Sequence, residues 1–118
     1  MKFLCLGYLN MDKFDSIPES EKQSILERCA EQCIPFRASG NVVMEEGVRH
    51  YSEAKVIQPI SGVAKVTGGT LLPSPLQLGS VFVIEATDVD DAIKIASLHP
   101  AALFGEDFDF SIEVRPLQ

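Results

Sequence analysis

The chain has 118 residues, of which 46% are hydrophobic and 23% are charged, a balance typical of one globular domain spanning residues 1–118. Its formal net charge of −7 argues against non-specific binding to nucleic acid, because phosphates select lysine and arginine. No apolar run approaches the roughly 20 residues that a membrane-spanning helix needs, so we expect no membrane partner.

The opening segment KFLCLGY, Lys2–Tyr8, predicts a strand that is covered on both faces, because alternate positions of both parities are apolar. The N-terminus lacks the long apolar region and small-residue cleavage site of a secretory signal. Cys5, Cys29 and Cys33 lack a disulfide-framework spacing, which predicts reduced thiols. We therefore expect a cytoplasmic protein. With only two histidines and no metal-binding motif, we expect neither a metal site nor a cofactor.

The first helix is predicted from Ile17 to Ser39, after a loop at Asp12–Ile17. Ser16 and Glu19 have the spacing of a capping box, and Pro18 suits a first helical turn. Apolar residues recur at three- and four-residue spacings, at Ile25, Leu26, Cys29, Ala30, Cys33 and Phe36.

The end of this helix carries two backbone signals. Pro35 removes an N–H group inside the helical pattern, which predicts a kink or a tightened last turn. Gly40 is expected to end the helix, because glycine adopts the left-handed conformation that follows many helices.

The middle of the chain predicts two further strands and a hairpin. Asn41–Val48 is a strand, and AKVIQPI and VAKVT flank Ser61-Gly62, which indicates a hairpin. Pro59 places that hairpin at a sheet edge, because proline cannot donate to a neighbouring strand. Ser80–Ala86 is the strongest predicted strand, rich in β-branched and aromatic residues.

A second helix follows, capped by Thr87 or Asp88, and Pro100 is expected to end it. Its predicted buried stripe is Val89, Ile93 and Ala96. The last element, Phe110–Pro116, alternates apolar and polar residues and predicts a strand with one solvated face.

This order of elements predicts an α+β fold, namely a ferredoxin-like βαββαβ domain with an extra hairpin. Both helices of such a fold cover the same face of the sheet. The other face is apolar and needs cover, and a second copy of the chain is the simplest one. We therefore predict a homodimer.

The order of several short motifs resembles the YCII-related family, and within it the subgroup named for a DGPF motif. The resemblance rests on KFLCLGY, on FRASGNVV, on VTGGTLLPSPLQLGSVFVIEATDVDDAIKIASLHPAA and on the final IEVRP. Val66–Leu71 stands where the family has V-T-D-G-P-F, and Gln77–Ser80 where it has Q-L-G-G. The resemblance covers nearly the whole chain.

The resemblance implies a dimeric α/β-barrel, in which two sheets face each other, and a cleft between helices and sheet in each subunit. It implies little about reaction, although one branch resembles a lyase acting on a chlorinated muconate-type acid. The broader family is proposed to use a His-Asp pair with the histidine in the first helix. Residues 17–39 contain no histidine, so that pair is not carried over.

The candidate site residues follow from residue chemistry at the ends of predicted elements. His99 precedes Pro100 at a predicted helix end, where the helix dipole favours a cation, and it is the candidate acid or base. The candidate ligand-binding side chains are Tyr8, Glu46, Arg49, His50 and Arg115, of which the arginines suit a carboxylate.

Three functions remain open from the sequence. The protein binds a small organic, acidic molecule in the cleft, or it is a cofactor-free lyase or isomerase acting on a small carboxylic acid. The third alternative is a structural or regulatory interaction module. An uncharged loop, TLLPSPLQLG, would suit an apolar cleft or a subunit seam, because it desolvates no charge there.

Overall fold

The computed structural model describes residues 1–118, which form a small mixed α+β domain. Its six strands are β1 Lys2–Asn10, β2 Val42–Gly47, β3 Lys55–Ile60, β4 Val63–Gly68, β5 Leu76–Glu85 and β6 Ser111–Pro116. Its four α-helices are α1 Met11–Asp15, α2 Glu19–Ala38, α3 Val89–Ala96 and α4 Pro100–Leu103, with short 3-10 helices at Tyr51–Glu53 and Glu106–Phe108. No helix is both long and apolar enough to span a membrane.

Four strands form one antiparallel sheet in the order β2-β5-β1-β6. Phe3 and Cys5 of β1 lie opposite Ile84 and Phe82 of β5, and all four side chains are fully buried. Because strand side chains alternate between faces, these residues share one face of the sheet. This face holds the core.

Helices α2 and α3 cover that face. The buried cluster joins the strand residues to Phe36 of α2 and to Ala92, Ile95 and Ala96 of α3. The predicted stripe of α3 is therefore wrong in part, because Val89 and Ile93 are about half exposed and only Ala96 is buried. The small side chains of α3 allow it to lie close to the sheet.

The opposite face of the sheet, called the open face here, has an aliphatic centre. Leu4 and Leu6 of β1 lie opposite Val83 and Val81 of β5, and all four are partly exposed. None of them belongs to the buried cluster. Charged side chains flank this centre on both sides, at Glu46 of β2 and at Glu113 and Arg115 of β6.

Strands β3 and β4 confirm the predicted hairpin. Ser61 and Gly62 have φ values of 51° and 77°, which suit a two-residue turn with both central residues in the left-handed region. Pro59 lies on an edge strand as predicted, because β3 and β4 form a two-stranded sheet of their own, separate from the main sheet. A 3-10 helix at Tyr51–Glu53 intervenes between β2 and β3 and separates them.

The start of α2 differs from its prediction. Part of the expected loop forms α1, where the Asn10 side chain accepts a hydrogen bond from the Lys13 backbone N–H at 3.1 Å. The capping box is wrong, because the Ser16 hydroxyl donates to the Lys13 carbonyl at 2.7 Å instead. Helix α2 begins after Pro18, which supplies no side-chain cap.

The end of α2 agrees with its prediction. The helix runs through Pro35 to Ala38, and its last turn is tightened by bonds from Ser39 N–H to Phe36 C=O and from Gly40 N–H to Arg37 C=O. Gly40, with φ of 77°, then ends the helix.

The elements around the second predicted helix also shift. Asp88 caps α3 as predicted, because its carboxylate accepts from the Asp91 backbone N–H at 2.8 Å. Helix α3 ends at Ala96, earlier than expected, and Pro100 begins α4 instead of ending α3. Strand β5 begins at Leu76, inside the segment expected to be a loop.

Candidate functional site

A cleft separates α2 from the sheet. Only Phe36, near the C-terminal end of α2, is buried, while Leu26 is 57% exposed. The rest of the helix therefore leaves a gap above the strands. Two cavities of about 360 and 250 Å³ occupy this gap, and they adjoin because both are lined by Cys33, Ser80 and His99.

His99 is fixed at the floor of the cleft. Its ring stacks on Phe82 with centroids 4.5 Å apart and meets Phe36 edge-on at 5.0 Å. Its Nδ1 accepts a hydrogen bond from the Ala101 backbone N–H at 3.1 Å, as the N-cap of α4. The neutral ring therefore carries its proton on Nε2, which faces no protein partner.

The expected effect of a helix dipole on His99 is wrong. The residue lies at the start of α4, where the dipole disfavours a cation, and not at the end of α3. Burial lowers the pKa of His99 from 6.5 to about 4, with a smaller opposing effect of Glu45. His99 is therefore neutral near pH 7 and acts there as a hydrogen-bond donor through Nε2.

An ion pair closes one side of the cleft. Glu45 of β2 lies opposite Phe82, and its Oε1 accepts hydrogen bonds from the guanidinium of Arg37 in the last turn of α2. Its other oxygen, Oε2, is buried without a hydrogen-bond partner. A buried carboxylate oxygen without a partner is costly, so this atom is an unsatisfied acceptor of a residue that lines the larger cavity.

Two thiols lie on the helix side of the cleft. Burial raises the pKa of Cys33, with Arg37 lowering it and Glu45 raising it to smaller extents. Burial and the neighbouring Cys33 also raise the pKa of Cys29. Both thiols are therefore protonated near neutral pH and unsuited to nucleophilic attack.

The cleft combines an apolar wall with a few directed polar groups. Leu9, Leu26, Pro100 and Phe110 line the smaller cavity. Both cavities share the Ser80 hydroxyl and the His99 ring, and the larger cavity adds the Glu45 carboxylate. Such a pocket suits a compact molecule with an apolar body and a polar end that both accepts and donates hydrogen bonds.

Two of the residues predicted from the sequence, His99 and Tyr8, meet at this cleft, and a third, Glu46, borders its larger cavity from the edge strand β2. His99 lines both cavities, Tyr8 lines the smaller one and Glu46 lines the larger one. Glu46 lies opposite Val81, however, on the open face. Glu45 is the carboxylate on the same side of the sheet as His99.

The other three predicted residues lie elsewhere. Arg49 and His50 line a separate cavity of about 480 Å³ beside the hairpin. Arg49 pairs with Glu53 at 2.9 Å, and His50 Nε2 lies 3.1 Å from an Asp15 carboxylate oxygen. Arg115 pairs with Glu113 of its own strand at 2.9 Å and lies on the open face.

Four groups of the cleft were not predicted as site residues, namely Arg37, Glu45, Cys33 and Ser80. A helical signal existed, since Cys33 and Arg37 are four residues apart and share one face of α2. Nothing local indicates that this face would meet β2, because that contact is tertiary.

Comparison with protein-family models gave no match to the chain, and comparison with curated proteins gave none either. The structure also groups no three His, Cys, Asp or Glu side chains as a metal ion would require. The function proposed below is therefore argued from the geometry of the cleft.

The Cys33 thiol reports the electrostatics of the cleft. We expect Glu45→Gln to speed alkylation of Cys33 by iodoacetamide at pH 7.5, because it removes a charge that raises the thiol pKa. Arg37→Met should slow it for the opposite reason. Peptide mass spectrometry over time gives the rate, and Cys5, buried with a pKa raised to about 11, is the internal control. Equal Cys33 rates in all three proteins would contradict this arrangement.

Proposed function

We propose that the protein binds a small organic molecule in the cleft between α2 and the sheet. The observation that carries this proposal is the pair of adjoining cavities above His99, whose Nε2–H donor and whose neighbour, the Glu45 Oε2 acceptor, both lack protein partners. Preformed apolar pockets with few convergent polar groups are typical ligand sites.

The charges around the larger cavity disfavour a ligand that is a charged acid. Arg37 is paired with Glu45, and Glu46 adds a second carboxylate to the lining. A carboxylate ligand would meet this negative potential, whereas a protonated acid, amide or alcohol could donate to Glu45 and accept from His99. We therefore favour a ligand whose polar end is uncharged when bound.

The alternative of acid–base catalysis by His99 receives less support. A general base works best with a pKa near the operating pH, and the pKa of His99 is about 4. Its Nδ1 is also occupied by the Ala101 N–H. In the proposed role His99 holds the ligand and exchanges no proton with it.

Within the same proposal, the chain is a YCII-like, ferredoxin-like domain that forms a dimeric α/β-barrel. The strand order, with α2 between β1 and β2 and α3 between β5 and β6, supports the ferredoxin-like arrangement. The aliphatic centre of the open face supports a second copy as its cover. The three free thiols fit a reducing compartment such as the cytoplasm.

Binding is tested with three probes that share one ring, namely benzamide, benzyl alcohol and benzoate. We expect saturation-transfer NMR at pH 7 to show that the two neutral probes bind about tenfold more tightly than benzoate, because benzoate lacks a donor for Glu45. Cys33→Leu, which fills the space shared by the two cavities, should abolish the signal.

The matched control is Ser24→Leu, which adds the same side chain to an exposed position of α2. It should leave binding of the neutral probes unchanged. Tightest binding by benzoate would overturn the uncharged-ligand preference, and equal binding by the Cys33→Leu and wild-type proteins would overturn the site itself.

A further inference from the structure

The hairpin and the residues that follow it form an exposed apolar arm, defined here as residues 55–72. Every residue of β4 is exposed, and Ile57, Val66 and Leu72 are 68%, 62% and 72% exposed. A backbone hydrogen bond from Gly69 N–H to Ala54 C=O closes the base of the arm at 2.9 Å. The arm therefore projects its apolar side chains into solvent.

Both faces of the hairpin carry apolar side chains, but one face has an unbroken apolar stretch. Ile57 lies opposite Val66, and Pro59 lies opposite Ala64. Because alternate residues of a strand share a face, these four uncharged side chains form a continuous surface. On the other face the polar pair of Gln58 and Lys65 interrupts the apolar residues, which are Val56, Ile60 and Val63.

A two-stranded hairpin is at best marginally stable alone in water, so this arm needs a cover. No other part of the chain covers the arm, since every residue of β4 is exposed. The radius of gyration of 16.0 Å exceeds the roughly 13–14 Å of a compact chain of this length. The domain is only 18 Å thick in its shortest dimension, against 48 and 41 Å in the others. The arm extends sideways from the two-layer body.

Charge indicates what the arm contacts. Residues 54–84 contain two lysines, Lys55 and Lys65, and no Asp or Glu. All seventeen acidic residues lie in the rest of the chain. The arm is thus a basic, apolar segment on an acidic protein, and a second copy of the same chain offers it a complementary surface.

We propose that the arm of one subunit packs, with the face formed by Ile57, Pro59, Ala64 and Val66, on the rim of the open face of a second copy. That rim carries Glu46, Glu113 and Arg115 around the aliphatic centre of the sheet, and Lys55 lies on the same face of the arm as Ile57. The inference rests on the proposed dimer. It adds that each arm packs against the partner subunit and enlarges the dimer interface. A stable interface buries about 800 Å² per subunit.

The test compares two double variants of the same hairpin by sedimentation velocity over a dilution series. Ile57→Lys with Val66→Lys places two charges on the apolar face and should weaken the dimer by about a hundredfold. Gln58→Lys with Thr67→Lys places two charges on the opposite face and should change the dissociation constant by less than about threefold.

Hydrogen exchange supplies a second readout on the wild-type protein. The amides of β3 and β4 should be protected at concentrations where the dimer forms and should lose protection on dilution. Protection that does not depend on concentration, or a dimer that the Ile57 and Val66 changes leave intact, would overturn the arm contact.

The two proposals fail differently in this experiment. A wild-type chain that sediments as a monomer at every concentration removes both the facing-sheet dimer and the arm contact. A dimer that is disrupted by Leu6→Lys on the open face but not by the arm variant retains the first and removes the second.

Discussion

Replacing Phe82 by alanine is expected to lower the free energy of unfolding by about 3–5 kcal/mol, the largest effect of any single change proposed for this chain. The side chain is fully buried at the centre of the core, with its ring 5.1 Å from Phe36 and 4.5 Å from His99. Removing it leaves a cavity beneath the cleft and deprives the His99 ring of the surface that orients it. Binding of the neutral probes should therefore fall as well.

Urea unfolding followed by circular dichroism measures the change. Phe104→Ala is the matched control, because that ring is partly exposed and has the Arg28 guanidinium 4.5 Å above it. It should lower the free energy of unfolding by about 1 kcal/mol. A loss below about 1 kcal/mol for Phe82→Ala would mean that the core does not depend on this ring.

The strands and their turns could be predicted because their signals are local. Alternation of apolar residues marks a strand without any knowledge of its neighbours, and Ser61-Gly62 supplies the positive φ values that a two-residue hairpin needs. Gly40 and Asp88 act on their own helix ends, so both predictions were confirmed.

The errors arise where two local signals compete or where a distant contact decides. The Ser16 side chain could cap α2 or form a hydrogen bond with α1. It donates to the Lys13 carbonyl of α1, a helix that was not predicted. The early end of α3 moved His99 from the end of one helix to the start of the next. The stripe of α3 was misassigned because position relative to the sheet, and not helical spacing alone, selected Ala92 and Ile95 for burial.

The site was only partly predictable for the same reason. His99 could be singled out because it is one of two histidines and stands at a predicted helix end before Pro100. The pair of Arg37 and Glu45 joins a helix end to a strand across a glycine turn, and its importance comes from the burial of Glu45 Oε2. Burial of one oxygen depends on the packing of α2, α4 and the sheet together.

The neutral state of His99 is expected to make the protein less stable as the pH falls from about 6.5 to about 4. In the unfolded chain this histidine binds a proton with a pKa of 6.5, whereas burial lowers the pKa in the folded chain to about 4. Between these values the unfolded state binds more protons, so acid favours unfolding. The free energy of unfolding therefore falls by about 3 kcal/mol as the pH falls through this range. The stability that is lost is fully present above pH 6.5.

His99→Asn isolates this contribution, because asparagine can still cap α4 but does not titrate. The variant should be less stable than the wild-type protein at pH 7, since it loses the stacking on Phe82, yet its free energy of unfolding should depend less on pH between 6.5 and 4. His50→Asn removes the other, more exposed histidine and is the matched control. The three proteins contain the same carboxylates, so a difference in slope is assigned to the substituted histidine. Parallel curves for the wild-type and His99→Asn proteins would mean that burial does not lower the pKa of His99 in the folded chain.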